Sequence, residues 1–348
     1  LMEGVLNGTE HVALPEEQAP AAPTVHVEAG KIVTFGEFVD RWTSGDLAAD
    51  YRGRIKVINQ AENKRRLRVH VLDVSYRGRR IAEVPLHEFT LDHAEHVLRQ
   101  ESLPEGSLRH VAQIMNRVLS LAVYPARLIA QSPFPRGWLP PANPVKARSY
   151  LYPVEELRLM QHTTIPLAQR LYIGMACREG PRKGNLSRLE WTDLVLDLNG
   201  GGVLAFDSTK NADDANWALD PGTAEALRRW RRICPSKRWV FPELAVPTVR
   251  NLPRSDRPMN VHHLSKQLRT WLKECGVDRA KLYERGKDRL PLRAHDLRAT
   301  FVTLALAVGR SETWVMQRTA HKTYGMLARY RRDARTLEEL GVGWLTPL

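Results

Sequence analysis

The sequence predicts a mainly α-helical protein with a small β-sheet, divided into two domains. Apolar residues recur every three or four positions through most of the chain, which is typical of amphipathic helices. Two short apolar stretches separated by turn-forming residues are instead typical of a β-hairpin. A proline-rich segment at 132–147, with five prolines, cannot be helical and is typical of a linker between domains. At 348 residues, the chain is also long for a single core.

The first half predicts a leader and a helical domain. Residues 1–31 are acidic and rich in Pro and Ala, and we expect them to be disordered or extended. A helical domain at 32–131 follows, beginning with the apolar spacing of Phe35, Phe38 and Trp42. Within it, helical patterns are predicted near 35–42, 89–101 and 106–130.

The second half predicts a larger domain at 148–336 and a tail at 337–348. Strand patterns at 203–207 and 216–219 predict a hairpin with Lys210 near its tip. Apolar periodicity predicts the helices of this domain near 154–162, 166–177, 222–232, 260–275, 294–307, 311–319 and 324–335. The apolar tail either folds back on its own domain or docks on a neighbouring protomer.

Charge indicates a polyanionic partner. The net charge is +13 and the isoelectric point about 9.9. Residues 1–30 contain five glutamates and no Lys or Arg, so the positive excess lies in the rest of the chain. We predict DNA-backbone contacts in that part, with a solvated basic surface as the alternative. The predicted contact residues are Lys64, Arg65, Arg66, Arg68 and Lys183.

Several classes of protein are disfavoured. The three cysteines, Cys177, Cys234 and Cys275, are far apart and do not form a C-x-x-C pair, which argues against a disulfide framework or a cysteine-rich zinc site. No apolar run approaches the ~20 residues that cross a bilayer. A signal peptide is not evident. We therefore expect a cytoplasmic protein without a membrane partner, associated with the nucleoid in a prokaryotic host.

Three short patterns contain residues suited to phosphate chemistry. His295 and Arg298 are three residues apart within a helical pattern, so both can reach one ligand. His321 precedes Tyr330 by nine residues, and arginines flank this tyrosine, which favours a phenolate close to a phosphate. Arg182 follows a Gly-Pro turn. Each pattern alone is ordinary; their combination is more specific.

Together the patterns resemble the tyrosine recombinase (phage integrase) family in order and spacing. The family carries an arginine box ending in L-x-W-x-D, a lysine on a β-hairpin, an H-x-x-R box and a G-H-x(8)-Y box. The matching residues here are Arg182 with L-E-W-T-D at 189–193, Lys210, His295, Arg298, His321 and Tyr330. The likeness covers roughly 148–335, and 32–131 is similar in character to the family's core-type DNA-binding domain. It implies a helical core-binding domain and a mixed α/β catalytic domain that form a C-shaped clamp on DNA.

The resemblance also implies an activity. It predicts a site-specific DNA recombinase of the integrase or resolvase type, which acts as a homotetramer on double-stranded DNA through a 3′-phosphotyrosyl link at Tyr330. Arg182 and Arg298 would bind the scissile phosphate with His321 as a further donor, since guanidinium groups match phosphate oxygens. His295 would accept the tyrosine proton, and Lys210 would protonate the leaving 5′-oxygen. Neither a cofactor nor a metal is expected, and accessory proteins are further expected partners.

The sequence departs from the family pattern at three places. Asn185 stands where an acidic residue usually follows the arginine, Ala320 replaces a glycine, and Asp213 and Asp214 lie near Lys210. Two alternatives keep the cleavage chemistry: a type IB topoisomerase-like enzyme and a telomere-resolving strand transferase. A third is an inactive DNA-binding accessory protein. The leader is too short for an arm-site domain, so we expect a recombinase that acts without arm sites or a chain that begins downstream of one.

Overall fold

The structure, a computed structural model, describes residues 32–51, 53–56, 59–100, 102–142, 146, 148–206, 215–243, 254–286 and 289–348. These residues form two compact units, divided between Asn143 and Pro144. The predicted leader at 1–31 lies outside the described residues. The exact limits of the linker remain a prediction.

The first unit is a helical domain with one short hairpin. Its core is formed by buried apolar side chains of all the longer helices, among them Phe35, Phe38, Met115 and Leu119. A turn of π-helix at Arg68–Leu72 extends the third helix. The elements are α1 (Phe35–Ser44), α2 (Asp46–Asp50), α3 (Gln60–Leu67), β1 (Ser75–Tyr76), β2 (Arg79–Arg80), α4 (Leu91–Gln100) and α5 (Glu105–Val123).

Local sequence signals explain where these helices begin and end. At the start of α1, the Thr34 hydroxyl accepts from the Glu37 amide at 3.3 Å, and the Glu37 carboxylate accepts from the Thr34 amide at 2.9 Å. This capping box satisfies two donors that the first turn leaves free. The predicted helix at 106–130 is too long, since α5 ends at Val123. Pro125 has no N–H and forces Tyr124 into an extended conformation.

The second unit is built around one buried helix. Helix α11 (Leu297–Ala307) carries Phe301, Val302 and Leu304, all fully buried, and packs against both α7 (Leu167–Glu179) and α13 (Ala328–Glu339). The helices are α6 (Pro153–Gln161), α7 (Leu167–Glu179), α8 (Lys183–Ser187), α9 (Pro221–Ile233), α10 (Leu264–Glu274), α11 (Leu297–Ala307), α12 (Glu312–Thr319) and α13 (Ala328–Glu339). The strands are β3 (Leu194–Leu198), β4 (Gly201–Phe206), β5 (Ala215–Ala218), β6 (Pro242–Glu243) and β7 (Arg254–Pro258).

The predicted hairpin is confirmed and belongs to a three-stranded antiparallel sheet in the order β3–β4–β5. Leu204 pairs with Trp217, and Phe206 pairs with Ala215. The sequence interpretation missed β3, whose Leu194 and Leu196 face the core. Lys210 falls between β4 and β5, in 207–214, and lies outside the described residues.

The C-terminal tail packs on its own unit. The Trp344 ring meets the Phe301 ring edge-on, with centroids 6.2 Å apart. Farther along, Arg178 donates to the carbonyl oxygen of Thr346. Arg178 is itself buried and paired with Glu156 at 2.7 Å, so the tail carbonyl adds a hydrogen bond to a buried ion pair. Docking of this tail on a neighbouring protomer stays a prediction.

Candidate active site

Arg182 is the residue that precedes the short helix α8, three residues after the end of α7. Gly180 ends α7 in the left-handed region, with φ of 66°, and an added Cβ there would overlap the ring of Phe301. Glycine is thus required both by the backbone and by the packing. Pro181 then leads into Arg182, which is half-buried and forms no ion pair with any described residue. Its guanidinium remains available for a ligand.

Arg298, in the first turn of α11, connects two other segments. Its Nη1 donates to the Gly180 carbonyl oxygen at 2.7 Å, and its Nη2 donates to the carbonyl oxygen of Thr319. The side chain is only 6% exposed. Burial, with the nearby positive charge of Arg182, lowers the pKa of Arg298 to about 10, so the group stays charged at neutral pH. Arg298 therefore holds the Arg182 loop beside the end of α12.

His321 follows that helix end, after Ala320 in a left-handed conformation with φ of 46°. Its Nδ1 lies 2.8 Å from the Thr319 hydroxyl, which gives its one hydrogen to the Val315 carbonyl oxygen at 2.5 Å. The hydroxyl must then accept from Nδ1–H, which leaves Nε2 of a neutral ring as an acceptor. Burial and the charge of Arg298 lower the pKa of His321 to about 4. The ring is therefore neutral at pH 7 in this DNA-free protein.

His295 lies on a 3-10 turn, Ala294–Asp296, that leads into α11. The predicted helix at 294–307 is thus correct except for its first three residues. Burial lowers the pKa of His295 to about 4, and the charges of Arg148 and Arg298 act in the same direction. A neutral imidazole can accept a proton, which an imidazolium cannot.

Tyr330 lies in the first turn of α13 and is 5% exposed. Its ring centroid is 6.4 Å from that of His321, and the guanidinium carbon of Arg329 lies 5.9 Å from the tyrosine ring. A pocket of about 120 Å³ opens beside it, lined also by Arg148 and Asp333. Helix α13 thus places the Tyr330 phenol close to the cationic side chains of Arg148 and Arg329.

The structure brings five of the six predicted side chains together. Arg182 and Arg298 lie in one small pocket with Asn185, the residue that departs from the family pattern. The positive charge of Arg298 contributes to the lowered pKa of both His295 and His321. The sixth residue, Lys210, lies outside the described residues.

Sequence reasoning missed Arg148. This half-buried arginine lies five residues before α6, at the end of the proline-rich segment. Its positive charge acts on His295, Arg298 and His321, and it lines the pocket beside Tyr330. No local pattern marks it, because it lies outside the motifs that resemble those of the family.

Of the predicted DNA-contact residues in the first unit, Arg66 is half-buried and the others are exposed, and three of the four are paired with described carboxylates. Lys64 lies 3.1 Å from the carboxylate of Asp40, while Arg65 and Arg66 share Glu62 at 2.9 and 2.7 Å. Exposed pairs of this kind contribute little free energy, so a phosphate can compete for these cations. The remaining two predicted residues are exposed, Arg68 and Lys183.

The described part of the chain contains neither a cluster of metal-ligating side chains nor a membrane-spanning helix. Among those residues, no group of three or more His, Cys, Asp or Glu side chains could hold a metal ion. None of their helices combines the length and apolarity required to span a membrane.

Comparisons with known proteins identify the family and the fold of this chain. The model of the phage integrase family matches residues 149–336. Among solved structures, a lambda integrase dimer bound to a COC′ core site shares 17% identity with a TM-score of 0.59, over 84% of this chain and 94% of that one. The Tn1549 transposon integrase in complex with transposon right end DNA shares 14% identity with a TM-score of 0.58, over 87% and 99% of the two chains.

A lambda integrase tetramer bound to a Holliday junction is also similar, at 16% identity and a TM-score of 0.59, over 88% of this chain and 79% of that one. No curated protein matches the sequence. The shared architecture confirms the predicted fold class of a helical domain followed by a mixed α/β domain. Since the family model spans more than half of the residues, the chain belongs to the phage integrase family of tyrosine recombinases.

Proposed function

We propose that this protein is a site-specific recombinase that cuts and rejoins double-stranded DNA with Tyr330 as the nucleophile. The observation that carries the proposal is the pair of contacts made by Arg298. By binding the carbonyl oxygens of Gly180 and Thr319, this side chain fixes the Arg182 loop and the His321 turn on either side of itself. Tyr330 lies next to that assembly.

The two arginines would bind the scissile phosphate. Negative charge grows on the non-bridging oxygens during in-line attack, so fixed positive charge lowers the barrier. A guanidinium has five N–H donors, and the contacts of Arg298 with the two carbonyls leave donors for the phosphate. Arg182 is not engaged by any described carboxylate. The site is therefore oriented before DNA arrives, which is what transition-state stabilisation requires.

The proposed step forms one bond and breaks another. The Tyr330 oxygen attacks phosphorus, its proton passes to neutral His295, and the bond from phosphorus to the 5′-oxygen breaks. Lys210 would give a proton to that oxygen, leaving a 3′-phosphotyrosyl link and a free 5′-hydroxyl. Because the new link keeps the energy of a phosphodiester, a 5′-hydroxyl of another strand can reverse the step. His321 would contact the phosphate as a donor once the phosphate charge has raised its pKa.

Strand exchange requires more than one protomer. We propose a homotetramer on two duplexes, since a solved lambda integrase tetramer binds a Holliday junction and has a similar fold. The net charge of +13 supports DNA as the partner. In the first unit, the proposed backbone contacts are Lys64, Arg65, Arg66 and Arg68.

The proposal is tested by trapping the covalent intermediate. A library of randomised duplexes, each nicked so that a short product diffuses away, would be incubated with the protein and resolved under denaturing conditions. We expect a protein–DNA adduct that is absent from Tyr330→Phe. Tyr324→Phe is the matched control, because Tyr324 is six residues away and 54% exposed. An adduct that persists in Tyr330→Phe would show that the nucleophile is another residue.

A further inference from the structure

Glu179, the last residue of α7, is a fully buried carboxylate surrounded by donors. Its Oε2 accepts from the Trp217 indole and from Arg318, both at 3.0 Å, and its Oε1 accepts from the Asp220 amide at 2.8 Å. Burial raises the pKa of Glu179, yet all three partners are donors. The geometry therefore fits the ionised form, which is acceptor-only.

Arg318 completes this cluster from α12. Its Nη2 donates to the Ala218 carbonyl oxygen at 2.8 Å, and its guanidinium carbon lies 4.1 Å from the centroid of Trp314. The side chain is 11% exposed. Since Trp217 and Ala218 both belong to β5, Glu179 and Arg318 each hold that strand.

The pair lies directly beside the contacts of Arg298. Glu179 precedes Gly180 and Arg318 precedes Thr319, the two residues whose carbonyl oxygens accept from Arg298. Two bridges thus join the end of α7 to the end of α12. The bridge made by Arg298 faces the proposed phosphate site, and the bridge made by Glu179 and Arg318 also binds the strand β5.

We propose that Glu179 and Arg318 are positioning residues that keep β5 in register with the arginine pair during strand cleavage. This inference rests on the proposed function. Strand β5 directly follows the segment that contains Lys210, the proposed donor of a proton to the leaving oxygen. A displacement of about 1 Å in a catalytic group is enough to slow a reaction by orders of magnitude. Loss of the pair should therefore impair protonation of the leaving group more than binding of DNA.

A substrate that needs no such proton separates this role from general stability. In a duplex with a 5′-bridging phosphorothiolate at the cleavage site, sulphur replaces the leaving oxygen. The sulphur departs as a thiolate, because a thiol is far more acidic than an alcohol. Cleavage of this duplex needs the nucleophile and the phosphate site but no proton donor.

The main variant is Glu179→Gln. Glutamine has one acceptor oxygen, so its amide group must face a donor, either the Asp220 amide or the Trp217 and Arg318 pair. The matched control is Glu225→Gln, which removes an exposed glutamate paired with Arg228 at 2.7 Å on α9. Adduct formation and DNA affinity would be measured for the wild type and both variants on both duplexes.

For Glu179→Gln we expect cleavage of the ordinary duplex to fall by about 10²-fold, the usual scale of general-acid catalysis, with DNA affinity unchanged. On the phosphorothiolate duplex the loss should shrink to less than about tenfold, and Lys210→Ala should behave in the same way. Equal losses on both duplexes, or normal cleavage of the ordinary duplex, would overturn the inference. Absence of an adduct from the wild type on both duplexes would instead refute the proposed function and this inference with it.

A second variant separates the loss of positioning from the loss of the fold. An apolar pair can replace a buried ion pair, so Glu179→Met combined with Arg318→Met should retain the fold, with some loss of stability because the Asp220 amide and the Trp217 indole lose their acceptor. We expect a cooperative thermal unfolding transition at a lower temperature than that of the wild type, while ordinary cleavage remains slow and phosphorothiolate cleavage fast. If this double variant cleaves the ordinary duplex at the wild-type rate, the pair serves stability alone and the inference fails.

Discussion

The carbonyl oxygen of Gly180 accepts a hydrogen bond of 2.7 Å from the guanidinium of Arg298, joining the end of α7 to the start of α11. This contact depends on a glycine, since Gly180 has φ of 66° and an added Cβ would overlap the Phe301 ring. The loop that carries Arg182 is therefore shaped by backbone conformation and packing together.

Substitution Gly180→Ala should lower both stability and cleavage. The left-handed conformation costs an alanine ~1 kcal/mol, and the overlap with Phe301 adds ~1–3 kcal/mol. Gly276→Ala is the control, because Gly276 has φ of 70° and no atom within 4 Å of its added Cβ. Urea denaturation should show the larger loss for Gly180→Ala. Equal losses would mean that the Phe301 contact relaxes freely.

Substitution Arg298→Lys should nearly abolish cleavage despite keeping the charge. One ammonium group cannot reach the Gly180 and Thr319 carbonyls and also present a planar fork to phosphate. We expect the rate of adduct formation to fall by ~10²–10³-fold, the usual loss when a preorganised donor is removed. The exposed Arg285 provides the control, Arg285→Lys. A rate within a few-fold of the wild type would contradict the bridging role.

Stability should depend on pH through His295 and His321. Both have a pKa of about 4 in the folded protein, below the ordinary value of 6.5. Between these values the unfolded chain binds protons that the folded protein does not, so the free energy of unfolding should fall as pH drops from 6.5 to 4. Combining His295→Gln with His321→Gln should flatten this dependence in urea denaturation. An unchanged slope would show that other groups cause it.

Arg148 should contribute to cleavage although no motif marks it. It lines the pocket beside Tyr330 and acts on His295, Arg298 and His321 through its charge. Arg148→Gln should slow adduct formation by at least about tenfold, on the scale of one charge-assisted contact. The control Arg158→Gln removes an exposed arginine outside this pocket. Equal rates for the two variants would exclude a role for Arg148 in catalysis.

The sequence predicted elements that depend on local pattern. Apolar periodicity predicted α1 and α10, because their buried apolar residues repeat every three or four positions. The β4–β5 hairpin was also predicted, but β3 was missed, because its Val195 and Leu198 are exposed apolar residues that blur the alternation. Helix α5 ends earlier than its apolar pattern predicts, because Pro125 cannot continue the helix.

For the site, the sequence predicted only residues that belong to the family motifs. Arg182, Arg298 and Tyr330 were predicted because their motifs resemble those of the family. The Glu179–Arg318 pair was not, since 139 residues separate its members and neither has a local signature. Contacts between distant segments arise from packing, which a single sequence does not display.

The most direct test of the central claim is to identify the residue that carries DNA in the trapped adduct. After nuclease and protease digestion, mass spectrometry should find the nucleotide on the peptide containing Tyr330, joined through a 3′-phosphate, with the released strand ending in a 5′-hydroxyl. A nucleotide on Tyr324 or on any other side chain, or a 5′-phosphate link, would contradict the account.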